Sequence, residues 1–401
     1  MSDEGLHSRA LGTVLGARDA SEIHPVARSL EEWQRLFALR GERAYRAGQV
    51  FRAIHAQGRL DPREITELPR ALREELLAAG FAAPAELLEV RRASDGTKKL
   101  VLALAGGARV ECVLIPMTKL SDDLDADASA APDDDEDETE AIVEAKQRVT
   151  LCISTQFGCA MGCVFCASGQ RGLVRGLSAA EIVAQVSLAR RHLEPNETLR
   201  NLVFMGMGEP LHHYEETARA IRLLTHAEGI GLGLRRITVS TVGLVPEIRR
   251  LGEDFGGKIG LAVSLHAPSD AIRQRIVPMN RRYPMAELLA ALRRYPLPKR
   301  RRITIEYTLI AGLNDSLADA RALVSSLAGL RVKVNLIPMN PVTASPLRAT
   351  TPERVAEFRE ALARAGLSCF VRVRRGDDVD AACGQLALSR ELADRARVRP
   401  K

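Results

Sequence analysis

The sequence predicts an α/β protein: a partial (β/α)6 barrel with a small N-terminal helical domain and a short antiparallel β extension. Three observations predict it. From residue 148 onward, six short apolar runs rich in β-branched residues alternate with stretches of helical period. Before them, over residues 29–92, apolar residues recur mainly at helical spacing. Between the two regions, runs at 89–92, 98–104 and 109–116 are separated by turn-forming residues instead of helices, as in a β meander.

Taken in order, residues 1–28 keep no period and are expected to form a disordered tail. The helical accessory domain, 29–92, is marked by Trp33, Leu36 and Phe37, then Val50, Phe51 and Ile54, then Leu72, Leu76 and Leu77. Gly41, Gly58, Pro62 and Pro69 interrupt it. The meander, 93–118, turns at Ser94-Asp95-Gly96-Thr97 and at Gly106-Gly107, and it carries Glu111. An acidic insert, 119–147, holds twelve carboxylates and no base between residues 122 and 144, and is too polar to fold alone.

The barrel, 148–376, has expected strands at 149–154, 201–205, 236–240, 259–264, 303–309 and 332–337. Its first helix is announced by the capping box Ser178-Ala179-Ala180-Glu181, after which Ile182, Val186, Ala189 and Leu193 share a face. Functional loops of such a barrel follow the C-terminal ends of its strands. A C-terminal segment, 377–401, completes the chain, and no internal repeat is evident.

At 401 residues the chain is long enough for two domains and tails. No apolar stretch approaches the about 20 residues of a membrane span, and the first residues lack a signal peptide's basic start and apolar core. A cytoplasmic protein without membrane contact is expected. Seven cysteines in that compartment point to metal or redox chemistry instead of a disulfide framework. The formal charge of +6 understates the basic character: without the twelve insert carboxylates, 57 basic face 39 acidic residues, a net +18. A basic body with one acidic insert is the footprint of a polyanion binder. Lys299 to Arg302, Arg273, Arg275, Arg281, Arg282 and Arg372 to Arg375 are the clusters available for phosphate.

Cys159, Cys163 and Cys166 form a C-x3-C-x2-C loop directly after the first barrel strand. Structural zinc and most electron-transfer clusters take four protein ligands. Three thiols on a [4Fe-4S] cluster leave one iron open to a small molecule. Cys112 and Cys369, by contrast, sit in apolar strand-like runs and read as small buried hydrophobes. After the second strand comes Met205-Gly206-Met207-Gly208-Glu209-Pro210, whose glycines allow close approach of a ligand and whose glutamate suits a cationic amine.

These features resemble the radical S-adenosylmethionine (SAM) enzymes. Further segments resemble the RlmN and Cfr family of RNA adenosine methyltransferases, most closely its RlmN branch: Ser94 to Lys99, Val110 to Pro116, Ser264-Leu265-His266-Ala267-Pro268, Gly312 to Ser316 and, most specifically, Gly376-Asp377-Asp378-Val379-Asp380-Ala381-Ala382-Cys383-Gly384-Gln385-Leu386.

The resemblance implies that Cys159, Cys163 and Cys166 hold a [4Fe-4S] cluster. It also implies that Gly208, Glu209, Ser240, Ser264, Leu265, His266 and Asn340 contact SAM, two of which are consumed per turnover. It implies a methyl relay too. Carbon 2 of adenine is electrophilic and does not attack a methyl cation equivalent, so a cysteine, here Cys383, is methylated first. A 5′-deoxyadenosyl radical then takes hydrogen from that methyl group, and the carbon radical adds to the base. Glu111 removes the carbon 2 proton. Cys152, seven residues before the cluster loop, attacks the sulfur of Cys383, leaving a transient disulfide.

Implied partners are 23S ribosomal RNA at the peptidyl transferase centre, tRNA, and an electron donor such as a flavodoxin or ferredoxin system; the chain is expected to act as a monomer. Two other readings of the residues are a Cfr-type methyltransferase acting on carbon 8 and a non-catalytic, metal-containing RNA-binding protein. The chain departs from the family at Gly172-Leu173-Val174-Arg175-Gly176-Leu177, where an aromatic and an Asn are usual, and in its acidic insert.

Overall fold

The computed structural model describes residues 23–117, 146–340, 345–381 and 384–386. Cys383, the acidic run 122–144 and most of the expected N-terminal tail lie outside the described residues.

Three helices open the fold: α1 (Leu30–Leu39), α2 (Tyr45–His55) and α3 (Arg70–Ala78). A capping box, Ser29 with Glu32, starts α1, and the side chains of Trp33 and Phe37, one turn apart, are fully buried. Of the disordered tail expected over residues 1–28, residues 23–28 are instead ordered against the core. Pro25–Ala27 form a 3-10 turn with all three residues buried, because Ile23 and Val26 supply apolar surface to the same core. The helical domain is also shorter than the expected 29–92. After α3 the chain becomes strand β1 (Ala85–Arg92), in which Leu87 and Leu88 fit a strand as well as a helix. Pairing with the next strand decides between the two periods.

β2 (Lys98–Leu104) and β3 (Arg109–Pro116) complete the meander. It does not stand apart. β3 pairs antiparallel with β4 (Gln147–Cys152), the first barrel strand. One ten-stranded sheet therefore continues from the meander through β4 into the barrel. From β4 onward its ladders are parallel, through β7 (Glu197–Phe204), β8 (Ile237–Thr241), β9 (Gly260–Ser264), β10 (Ile303–Leu309) and β11 (Val332–Pro338). The six barrel strands expected from the sequence are present, and β12 (Cys369–Val371) adds a seventh on the far edge. A separate hairpin, β5 (Gln156–Gly158) with β6 (Leu173–Gly176), encloses the cluster loop.

Crossover helices cover the parallel strands: α5 (Ala179–Arg190), α6 (Tyr214–Thr225), α7 (Val245–Phe255), α8 (Asp270–Ile276), α9 (Met285–Arg294), α10 (Leu317–Leu327) and α11 (Pro352–Arg364). A short α4 (Ala167–Arg171) follows the third cysteine. The Ser178 capping box is formed, and α5 is buried nearly all round because the helical domain packs on its outer side.

Candidate active site

Cys159, Cys163 and Cys166 line one cavity of about 920 Å³, counted with its mouth, at the C-terminal ends of the parallel strands. The loop is held tightly. Gly158 has φ +79°, and a Cβ there would lie 1.8 Å from the Gly172 carbonyl oxygen, so only glycine fits this crossing of β5 and β6. Cys159 N–H donates to that carbonyl at 3.1 Å, and Val164 N–H donates to Ile276 O at 3.1 Å.

Burial pushes the Cys159 thiol up to about 12 and the Cys163 thiol well above its ordinary value, with the neighbouring thiols adding to the rise at Cys163. Iron held by these thiols would therefore displace their protons. Among the described residues no three His, Cys, Asp or Glu side chains converge as they would on a single ion. Three soft thiol donors spread around one cavity suit a [4Fe-4S] cluster, in which each binds a different iron.

The rest of this cavity is built by the strand ends. Gly208 has φ +103° and packs so closely on Gln156 that a Cβ would meet it at 2.5 Å. Gln156 Oε1 accepts from Glu209 N–H at 3.0 Å. Glu209 is 2% exposed, and its carboxylate accepts from the amides of Leu211 (3.1 Å) and Val242 (2.9 Å). Burial outweighs those amides and pushes the carboxyl up to about 7. A cationic amine brought beside it would favour the ionised form.

Ser240 and Ser264 end neighbouring strands, and both hydroxyls donate to Glu306 Oε2, at 2.7 and 3.1 Å. Glu306 lines the cavity from the middle of β10 and escaped the sequence reading. Its signal was a single charged residue inside an otherwise uncharged strand. His266 adopts a left-handed conformation, φ +56°. Its Nδ1 accepts from Thr308 N–H at 3.0 Å, which places the ring proton on Nε2. Burial, helped by Arg273, pushes the imidazole down to about 3, so it is neutral at physiological pH.

The Gly312 to Ser316 motif supports this conformation. Buried Asn314 donates to the carbonyls of His266 and Thr308, each at 2.7 Å, and accepts from Ile310 N–H at 2.8 Å. Leu265, expected to contact the cofactor, is fully buried and does not line the cavity; its N–H donates to Glu306 O at 3.1 Å and its carbonyl accepts from Arg273 Nε at 3.1 Å. Asn340 closes the cavity opposite, after β11.

Arg273 does not serve phosphate. Its side chain is buried, with Nε donating to Leu265 O (3.1 Å) and the guanidinium reaching Asn280 Oδ1 (3.0 Å) and the carbonyls of Ser264 (3.2 Å) and Val242. Burial pulls it down to about 10, which leaves it cationic. It ties the loops that follow β8 and β9 to each other. Lys299 to Arg302 also depart from expectation. They precede β10, at the end of the barrel away from the cavity, where Arg301 donates to Lys258 O at 2.7 Å. Arg275, Arg281 and Arg282 are exposed after β9, on the cavity side.

A second cavity, of about 490 Å³, adjoins the first and shares Met205, Ile337 and Asn340 with it. It is lined by Cys152, Ile115, Arg372, Arg374, Arg375, Ala381 and Leu386. Cys152 is opposite Val113 in the β3–β4 ladder, and Glu111 is two residues away on β3. Paired residues share a face, as do residues two apart, so Glu111 and Cys152 face the same side. Ser154 links the halves: its hydroxyl donates to Glu111 O at 2.6 Å and accepts from Met207 N–H at 2.9 Å.

The described neighbours of Cys383 reach the same place. Ala381 lines the second cavity and Gly384 the first. Ala167 N–H donates to Gly384 O at 2.9 Å, and Ser168 Oγ donates to Leu386 O at 2.5 Å, which tie the C-terminal segment to the helix after the cluster loop.

Comparison with known proteins agrees with this geometry. Residues 153–324 match the Radical SAM superfamily, and residues 28–80 match the Ribosomal RNA large subunit methyltransferase N-terminal domain. The chain is 60% identical over 375 residues to a dual-specificity RNA methyltransferase RlmN from Sorangium cellulosum, covering 92% of this chain and 96% of the relative. It is 43% identical over 357 residues to that of Syntrophobacter fumaroxidans, covering 89% and 95%. The crystal structure of a radical SAM methyltransferase from Sphaerobacter thermophilus superposes with a TM-score of 0.80 at 42% identity, covering 91% of this chain and 99% of that one. With a cluster loop, a matching N-terminal domain and near full-length similarity in one polypeptide, the chain belongs to the RlmN family of radical SAM RNA methyltransferases.

Proposed function

We propose that the protein methylates carbon 2 of an adenosine in 23S ribosomal RNA, at the peptidyl transferase centre, and in tRNA, by way of methylated Cys383 and a transient disulfide with Cys152. The observation that carries this reading is the seam between the cavities. A buried carboxylate, Glu111, and a buried thiol, Cys152, lie on one sheet face beside the cavity lined by the three cluster thiols.

Cys159, Cys163 and Cys166 hold the [4Fe-4S] cluster, and SAM occupies the cavity they line. Together the cluster and SAM supply methyl groups and one-electron chemistry. Glu209 binds the amine of SAM, its raised proton affinity dropping as the cation arrives. Ser240, Ser264 and neutral His266 orient the nucleoside end, and Leu265 and Asn340 exclude water. Cys383 carries the methyl group to the base. Glu111 accepts the proton from carbon 2, and Cys152 attacks the Cys383 sulfur to release the product.

Arg372, Arg374 and Arg375, at the second cavity, meet RNA phosphate, and the target base leaves its stack to enter. No helix among the described residues is long and apolar enough to cross a membrane. We place the enzyme in the cytoplasm, as a monomer reduced by a flavodoxin or ferredoxin system.

Nucleoside mass spectrometry of RNA treated with the reconstituted enzyme tests the reading. 2-Methyladenosine is expected; 8-methyladenosine alone, or no modified base with a fully loaded cluster, would refute it. Cys383→Ala should abolish methylation while leaving the iron-sulfur absorption intact.

A further inference from the structure

Lys98 and Lys99 are consecutive on β2 and point to opposite faces. Lys98 meets Glu197 (2.9 Å), Glu194 (3.0 Å) and the His192 carbonyl (2.9 Å). Lys99 turns to the face that carries Glu111 and Cys152. In the ladder it is opposite Val113, which is itself opposite Cys152, while Glu111 is opposite Val101. Its side chain is 1% exposed and that of Glu111 is 3% exposed, with Nζ 3.1 Å from Glu111 Oε1. Nζ also donates to the backbone carbonyl of Asp380 at 3.1 Å.

An ammonium is costly to bury and is retained only where anionic and hydrogen-bonding partners meet it. Here the partners are the carboxylate assigned as base and the backbone three residues before Cys383. The turn that leads into β2 grips the same segment at two further points. Asp95 accepts from Gly376 N–H at 3.0 Å, and Ser94 N–H donates to Asp378 at 2.9 Å.

We propose that Lys99 is a positioning residue: its ammonium holds the Glu111 carboxylate on the reacting face and fixes that carboxylate to the segment that carries the methylated cysteine. The inference rests on the reading of Glu111 as the base. Its consequence is specific to one stage. Loading a methyl group on Cys383 needs no base at Glu111, and the contacts of Ser94 and Asp95 still dock residues 376–378 when Lys99 is replaced. Removing the carbon 2 proton from the covalent RNA adduct does need Glu111 in place.

The test compares Lys99→Met, Lys99→Arg and Glu111→Gln in the reconstituted holoenzyme with substrate RNA. Four quantities are read: iron content, the methyl group on Cys383 by peptide mass spectrometry, covalent protein–RNA adduct on denaturing gels, and methyladenosine formed. Lys99→Met is expected to keep iron and methylcysteine, accumulate adduct, and form product about 100-fold more slowly, the scale of a misplaced general base. Lys99→Arg, which keeps the charge and the donors, should recover at least a tenth of the wild-type rate.

Wild-type turnover by Lys99→Met would overturn the inference. So would equal loss of methylcysteine and product without adduct, which marks a purely structural lysine. If Lys99→Met does not fold, Lys99→Gln, which keeps a donor without the charge, carries the same comparison. The base reading fails separately, if Glu111→Gln turns over normally. The inference alone fails if Glu111→Gln accumulates adduct and Lys99→Met does not.

Discussion

The cofactor cavity and the seam beside it are built in different ways. The cavity comes from loops at the ends of the parallel strands, and each polar group is held by chain close in sequence or from one or two strands away. Glu209 sits on the amides of Leu211 and Val242, and Ser240 and Ser264 on Glu306. The seam comes from an antiparallel extension added to the sheet's first edge, so Glu111, Cys152 and Lys99 meet only through the register of three strands. On the proposed reading, a general site for radical chemistry and a more particular site for resolving an adduct therefore share one sheet but not one kind of support. Changes to the first should act before any adduct forms. Changes to the seam should act after it.

The largest effect that separates them is expected from Cys159→Ala. It removes one of the three proposed cluster ligands, so both iron-sulfur absorption and all RNA methylation should be lost; a variant that keeps both would detach the cavity from the chemistry. Next is Glu306→Gln, which weakens the acceptor shared by Ser240 and Ser264. Calorimetric affinity for S-adenosylhomocysteine should fall about tenfold, the scale of a charge-assisted hydrogen bond, with no adduct trapped. An unchanged affinity would show that Glu306 only packs the barrel.

A smaller, graded effect is expected from pH. The Glu209 carboxyl in the free protein is raised to about 7. Its folded value lies above the unfolded one, so its ionisation costs stability as pH rises from about 4.5 towards 7, the reverse of a salt-bridged carboxylate. A ligand with a cationic amine favours the ionised form. Affinity for S-adenosylhomocysteine should therefore rise with pH by up to about tenfold per unit below 7 and level off above it. Glu209→Gln should flatten that profile while lowering its ceiling. The smallest effect is predicted for Lys299→Ala with Arg300→Ala, because this pair lies at the far end of the barrel. Product formation at saturating RNA should stay within about twofold, as for surface substitutions away from a site.

Much of the cavity was legible in the sequence because its parts are local. The cysteine spacing, the glycine turn before Glu209 and the alternation of strand and helix each sit in a short window. What escaped depends on distant pairing. Glu306 stands in an otherwise uncharged strand, and its role appears only when β8 and β9 bring Ser240 and Ser264 to it. Arg273 read as a surface cation because charge alone does not reveal four buried carbonyl and amide oxygens around it. Lys299 to Arg302 read as an RNA grip because the sequence does not tell which end of a strand faces the ligand. Lys99 stood inside a recognised motif without a role, since its contact with Glu111 crosses a ladder. Ala85 to Leu88 fit the helical domain on sequence alone because two adjacent leucines satisfy either period.

The central claim is that the seam acts on an RNA adduct made from the neighbouring cavity. Cys152→Ala tests it most directly. The holoenzyme variant, incubated with substrate RNA and digested with nuclease and protease, should yield a Cys383 peptide joined through one carbon to adenosine, together with unchanged cluster content and no free methylated RNA. Methylated RNA released at the wild-type rate, with no joined peptide, would contradict the account.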